Sequence, residues 1–137
     1  CGFARTAWAH KRYNLTGSFG FSRIAGDTLA IQLAQRSSAR YYQRPVADYV
    51  EYDPTRASLS GWTASLRLTK EAGRYQFGLF ANATSPGFDL NDAGFQTRAD
   101  RQSLFGFVNR RWNRPGKVFR SAFAGNNAGI GWNFGGV

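Results

Sequence analysis

The sequence predicts an all-β protein, an antiparallel up-and-down meander forming a segment of a transmembrane β-barrel. Three observations carry that expectation. Apolar and polar residues alternate with a period of two in run after run. The connections between the runs switch between short and long. The composition combines 16 % aromatic residues, 16 glycines and 18 basic residues against 8 acidic ones, a balance of +10. A barrel accounts for all three, with aromatics toward lipid and arginines in the lumen or loops.

A first strand is expected near residues 2–11. The next covers 13–24, where Tyr13, Leu15, Gly17, Phe19 and Phe21 alternate with Asn14, Thr16, Ser18, Gly20 and Ser22. Successive side chains on a strand point to opposite faces, so such a run has one apolar and one polar face. Leu29, Ile31 and Leu33 continue the alternation and predict a strand over 28–37. The same stretch admits a helix, with Asp27 as its cap and Leu29, Ala30, Leu33 and Ala34 as its stripe. The alternating neighbours favour the strand. Further strands follow at 58–70 (Trp62, Ala64, Leu66, Leu68), 74–85 (Tyr75, Phe77, Leu79, Ala81, Ala83), 102–112 (Phe105, Phe107) and 118–135 (Ile130, Trp132, Phe134). Phe19, Phe21, Ile31, Leu33, Trp62, Leu66, Leu68, Phe77, Leu79, Phe105 and Phe107 are expected to share the outer, lipid-facing side.

Turns at 25–27, 71–73 and 113–117 are short, whereas 37–57 and 85–101 are long. Short turns at one end and long loops at the other are the topology of an outer-membrane barrel. Six or seven strands are fewer than the roughly eight of the smallest bacterial barrels. An open sheet in lipid would leave backbone groups unpaired. Residues 1–137 are therefore expected to form a single, incomplete barrel segment. Its first and last strands should have free edges that the rest of the polypeptide meets.

The sequence stretches Tyr41-Tyr42-Gln43-Arg44-Pro45, Ala47-Asp48-Tyr49, Asp53-Pro54-Thr55-Arg56 and Ser58-Leu59-Ser60-Gly61 form one group of motifs. Thr84-Ser85-Pro86-Gly87-Phe88-Asp89-Leu90-Asn91-Asp92-Ala93-Gly94-Phe95, Arg98-Ala99-Asp100 and Arg114-Pro115-Gly116-Lys117 form the others. In this order they resemble a bacterial domain of unknown function, over about residues 36–120. The resemblance implies a predicted outer-membrane barrel lying C-terminal to a carbohydrate-binding, family-nine-like module. It implies export in a Gram-negative bacterium and brings no established reaction with it.

The chemistry of the residues is sparse. One Cys and one His exclude a disulfide framework, a cysteine zinc site and a His-rich metal centre. There is no P-loop, dinucleotide fingerprint or nucleophile elbow. Asp48, Glu51 and Asp53 in the first long loop and Asp89 and Asp92 in the second lack the glycine and bidentate Glu of an EF-hand. They read as solvated or Arg-paired acids rather than metal or glycosidase carboxylates. Arg36, Arg40, Arg44 and Arg56 flank the first loop, and Arg98 and Arg101 the second. These forks either orient the loops on those acids or bind lipopolysaccharide phosphate. Pro86-Gly87 fits a type II turn, and the second loop is expected to fold as a plug or lid. The candidate recognition residues on the loops are Tyr41, Tyr42, Arg44, Asp48, Arg56, Phe88, Asp92, Phe95 and Arg98.

The expectation is a non-enzymatic segment of a Gram-negative outer-membrane barrel with a structural, pore or export role. It needs no cofactor. Its partners are the remainder of the barrel or other chains, membrane lipid and lipopolysaccharide, and not nucleic acid. The alternative is a soluble basic β-domain binding nucleic acid or anionic glycan.

Overall fold

Six of the alternating runs form one antiparallel sheet in a computed structural model that describes residues 1–45, 48–90, 96, 98–113 and 117–136. The strands are β1 (Gly2–Trp8), β2 (Tyr13–Ala25), β3 (Ser58–Lys70), β4 (Tyr75–Thr84), β5 (Arg101–Trp112) and β6 (Ala122–Trp132), and one helix, α1 (Thr28–Arg36), lies between β2 and β3. The strands stand in sequence order, each paired with its chain neighbours. β1 pairs with β2 alone and β6 with β5 alone, so the sheet is open among the described residues.

The strand expected over 28–37 is a helix. β2 pairs directly with β3 through all thirteen of its residues, from Tyr13 opposite Lys70 to Ala25 opposite Ser58. No ladder position remains for a strand between them. The segment is also rich in Leu, Ala, Gln and Arg, residues that tolerate helical backbone at little cost. The Ile31 N–H reaches the Asp27 carbonyl at 3.1 Å, while the Asp27 side chain makes no cap bond. Ile31 and Gln35, one turn apart, are the buried pair, and Leu29 and Leu33 stay exposed. The period-two signal of Leu29, Ile31 and Leu33 was therefore coincidental, and Ile31 and Leu33 do not belong to the shared strand face.

With α1 absorbed into the loop, the alternation of connections becomes cleaner. The β1–β2, β3–β4 and β5–β6 connections start and finish at one end of the sheet, and the β2–β3 and β4–β5 connections at the other. The first turn bends early because Ala9, His10 and Lys11 all take positive φ, so the strand expected near 2–11 ends at Trp8. The last strand, expected over 118–135, begins at Ala122.

Register decides which side chains share a face. Directly opposite residues point the same way, and Phe21 lies opposite Trp62, Leu15 opposite Leu68 and Gly17 opposite Leu66. Leu68 in turn faces Leu79, and Phe77 faces Val108. Phe19, Phe21, Trp62, Leu66, Leu68, Phe77 and Leu79 thus share one apolar face. Phe105 and Phe107 do not. They lie opposite Phe80 and Gly78, on the polar face, and Leu104 and Val108 take the apolar positions of β5. On the polar face the three rings form a cluster, with Phe80 5.8 Å from Phe105 and 6.0 Å from Phe107 and the Arg67 guanidinium 4.9 Å above Phe80. Rings of Phe80 and Phe107 cover Gly78, where a Cβ would collide with both.

The apolar face is bordered by rings at both ends. At the short-turn end Trp8 stacks on Tyr13 at 5.5 Å, and Arg110 lies against Tyr75 and Trp112. At the long-loop end Phe19 stacks on Trp62, and Phe134 meets Trp62 edge-on at 5.8 Å. Between them run Leu66, Leu68, Leu79, Leu104 and Ile130, with a shallow depression of about 740 Å³ across Leu68, Leu79, Leu104 and Ile130. No helix of the described residues is long and apolar enough to cross a membrane.

Candidate functional site

The described parts of the two long connections fold back over the polar face rather than away from it. α1 begins this. Ile31 packs on Leu59 and Tyr42, with Ile24, Ala34, Val50 and Tyr52 around them. Gln35, fully buried, holds the returning chain through two bonds. Its Nε2 donates to the Asp53 carbonyl at 2.8 Å, and the Asp53 N–H donates to its Oε1 at 2.9 Å. A buried amide satisfied on both sides fixes the loop's register against the helix.

The second loop is pressed onto the sheet. Trp62 and Ser85 exchange bonds, Trp62 N–H to Ser85 Oγ at 2.8 Å and Ser85 N–H to Trp62 O at 2.9 Å. The Asp89 N–H donates to Ser22 Oγ at 2.8 Å. Gly61 and Gly87 allow this approach. A Cβ on Gly61 would overlap the Phe88 backbone, and one on Gly87 would overlap the Ser60 carbonyl. A turn does form at Pro86-Gly87, with the Phe88 N–H on the Ser85 carbonyl at 3.2 Å. Gly87 lacks the positive φ of a type II turn. Glycine is required here for close approach and not for handedness.

Two buried charged residues tie the loops together. Arg40 pairs with Asp89 and donates from Nη2 to the Phe88 carbonyl at 3.1 Å and from Nη1 to the Ala34 carbonyl at 3.3 Å. Asp100 accepts from Arg44, from the Tyr49 hydroxyl and, at 3.0 Å, from the Phe134 N–H. It thereby joins the first loop, the start of β5 and the segment after β6. Burial, then the hydrogen bond to Asp100, pushes the Tyr49 phenol up to about 12. Burial also raises Tyr42, against the opposing pull of Arg40 and Arg56. Asp53 is held below the usual carboxylate range by the side-chain and backbone donors of Thr55.

The expected recognition residues divide accordingly. Tyr42 and Phe88 are buried in the loop packing, and Arg44 is bound to Asp100. Tyr41 and Asp48 are exposed, and Arg56 sits 3.9 Å from Asp53 in the same turn. Arg98 lines a cavity of about 300 Å³ with Gly20, Thr63, Phe88 and Gln96. Asp92 and Phe95 lie outside the described residues. Asp100 and Gln35 organise the site without being among the recognition candidates, and Arg40, expected to orient a loop on an acid, does so on Asp89. The alternation of the strands carries no trace of them, because their roles depend on contacts 18 to 56 residues apart. Among the described residues no three of His, Cys, Asp and Glu gather into a metal-holding group. The described parts of the two loops cover the long-loop end of the polar face.

A family model described as a domain of unknown function (DUF5916) matches residues 10–133. Comparison with curated proteins and with solved structures gave no match.

Proposed function

The chain belongs to the DUF5916 family of domains of unknown function, and on that footing we propose that it is part of the wall of a Gram-negative outer-membrane β-barrel. The apolar face meets lipid, the polar face lines the lumen, and the long loops fold inward to narrow the mouth. The protein then serves as a pore or export channel with a restricted opening. The intact polypeptide carries a carbohydrate-binding, family-nine-like module ahead of this domain, as the motif resemblance implies.

One observation carries the reading. Apart from the Phe80, Phe105 and Phe107 cluster, the sheet keeps most of its large apolar side chains on an uncovered face, bounded at both ends by aromatic rings, while the described loops pack on the other face. Phe19, Phe21, Leu66, Leu79, Val108 and Ile130 are all exposed, and the buried apolar residues are few. A contiguous exposed face of large apolar side chains marks a protein or membrane contact surface. From Tyr13 to Phe21 the strand climbs about 27 Å at ~3.4 Å per residue. At a tilt near 40° that is about 20 Å of depth, comparable with the ~25 Å apolar band of outer-membrane barrels. The open edges of β1 and β6 are where the remaining strands join, because unpaired backbone is not tolerated in hydrocarbon.

The test is folding of the intact protein into phospholipid vesicles. The expected result is a species that needs detergent or lipid to stay dispersed, whose strands resist protease and whose barrel migrates faster unheated than boiled on SDS gels. An intact protein that is monodisperse in water without detergent would refute the reading.

A further inference from the structure

We infer that the short-turn rim of the apolar face binds the phosphates of anionic phospholipid headgroups, with Arg110 and Lys70 as the contacting cations. The inference rests on the membrane reading above and adds the lipid class and the side chains that select it.

Arg110 stands on the apolar face of β5, opposite Tyr75 and Ala124. Its guanidinium lies 4.7 Å from the Trp112 ring and 5.4 Å from the Tyr75 ring. The rings attract the cation through their faces without occupying its in-plane N–H donors. Its Nε is buried without a hydrogen-bond partner, and among the described residues it has no carboxylate in ion-pair reach. Lys70 repeats the arrangement two strands away. Its Nζ sits 5.7 Å above Tyr13, which stacks on Trp8. Both cations thus project at the depth of an aromatic border, where an anionic oxygen is the partner still lacking.

Charge is distributed to match. At the short-turn end Lys11, Arg12, Lys70, Arg74, Arg110, Arg111, Lys117 and Arg120 face the lone acid Glu71. Glu71 is itself turned toward Thr69 on the polar face, 3.2 Å from its hydroxyl. At the long-loop end the arginines are interspersed with Asp27, Asp48, Glu51, Asp53, Asp89 and Asp100, and Arg40 and Arg44 are paired. The protein's positive charge is therefore concentrated on one rim. Short turns lie on the periplasmic side of outer-membrane barrels, where the leaflet is phospholipid, so the ligand is a phospholipid and not lipopolysaccharide.

The intact protein, folded in phosphatidylcholine vesicles, would be probed with trace spin-labelled phosphatidylglycerol and spin-labelled phosphatidylcholine. The immobilised fraction of each gives the lipid preference. Phosphatidylglycerol should be preferred, and Arg110→Gln and Lys70→Gln should each lower that preference by up to about fivefold. Arg110→Lys should retain most of it, 1 M salt should remove it, and Arg5→Gln, on the polar face opposite Thr16, should leave it unchanged. Equal immobilisation of both lipids, or a preference untouched by the two Gln variants, would overturn the inference while leaving the barrel reading standing. Displacement by lipopolysaccharide but not by phosphatidylglycerol would overturn it in favour of the other leaflet. Failure to insert into any vesicle would remove the membrane reading and this inference together, and it would be seen before any lipid comparison is made.

Discussion

Leu66→Arg, compared with Phe21→Arg, tests the lipid assignment by depth. Leu66 lies midway between Trp62 and Lys70 on the apolar face, with Gly17 and Ala81 directly beside it. Its side chain is 52 % exposed in the open sheet, so the new Arg displaces little protein packing. The cost then comes from the medium it enters. An Arg at the bilayer midplane of a barrel costs about 2–4 kcal/mol, falling to about 0–1 kcal/mol near the interface. Phe21 is 61 % exposed and sits opposite Trp62 at the aromatic border, so the lower figure applies there. If this face were in water, both substitutions would stay within about 0.5 kcal/mol. If a second sheet covered it, both would be penalised alike. Reversible urea unfolding of the intact protein in vesicles measures the pair. The expected gap is at least about 1 kcal/mol, with Leu66→Arg the costlier. Equal losses at the two positions, or a loss below about 1 kcal/mol at Leu66, would refute the reasoning.

Asp100→Asn should release the loop assembly. It removes the charge facing Arg44, whose side chain is 23 % exposed, so a loss of about 2–3 kcal/mol is expected, below the full range for buried pairs; hydrogen exchange across residues 48–56 would report it. Gly61→Val should push the Phe88 backbone off the polar face, giving protease cleavage near 85–90 with the strands intact. Phe80→Ala breaks two ring contacts and the Arg67 contact on that face, and should cost about 2–3 kcal/mol in the same vesicle assay, at roughly 0.5–1.5 kcal/mol per aromatic pair plus lost burial. Tyr49 ionises near 10 when unfolded and at about 12 when folded. Its contribution is therefore fully present below pH 10 and lost as pH rises through 12; Tyr49→Phe should flatten that segment of the stability profile.

β2, β3, β4 and the end of β6 were legible because each repeats a two-residue period long enough to set its face. The glycines and aromatics of the loops likewise announced structured connections. Three features were not legible. The period of Leu29, Ile31 and Leu33 fits a strand as well as a helix, and only the uninterrupted pairing of β2 with β3 excludes the strand. In β5 apolar residues occupy both faces from Leu104 to Val108. The phase was therefore undefined within the strand, and Phe105 and Phe107 were assigned the wrong side until register with Phe80 and Gly78 fixed it. A one-residue change of phase moves every side chain across the sheet, so a neighbouring strand has to supply what the run itself lacks. The site was the least legible part. Asp100 gathers Arg44, Tyr49 and Phe134, and Arg40 reaches Asp89 and Phe88. Such partnerships between distant residues leave no periodic mark. The sequence by itself determined the antiparallel meander, its two unlike faces and its alternation of short and long connections, because these depend on local alternation. Tertiary structure alone decided which acid each loop arginine takes and which cations remain free at the rim, because those outcomes depend on side chains that meet only when the sheet has assembled.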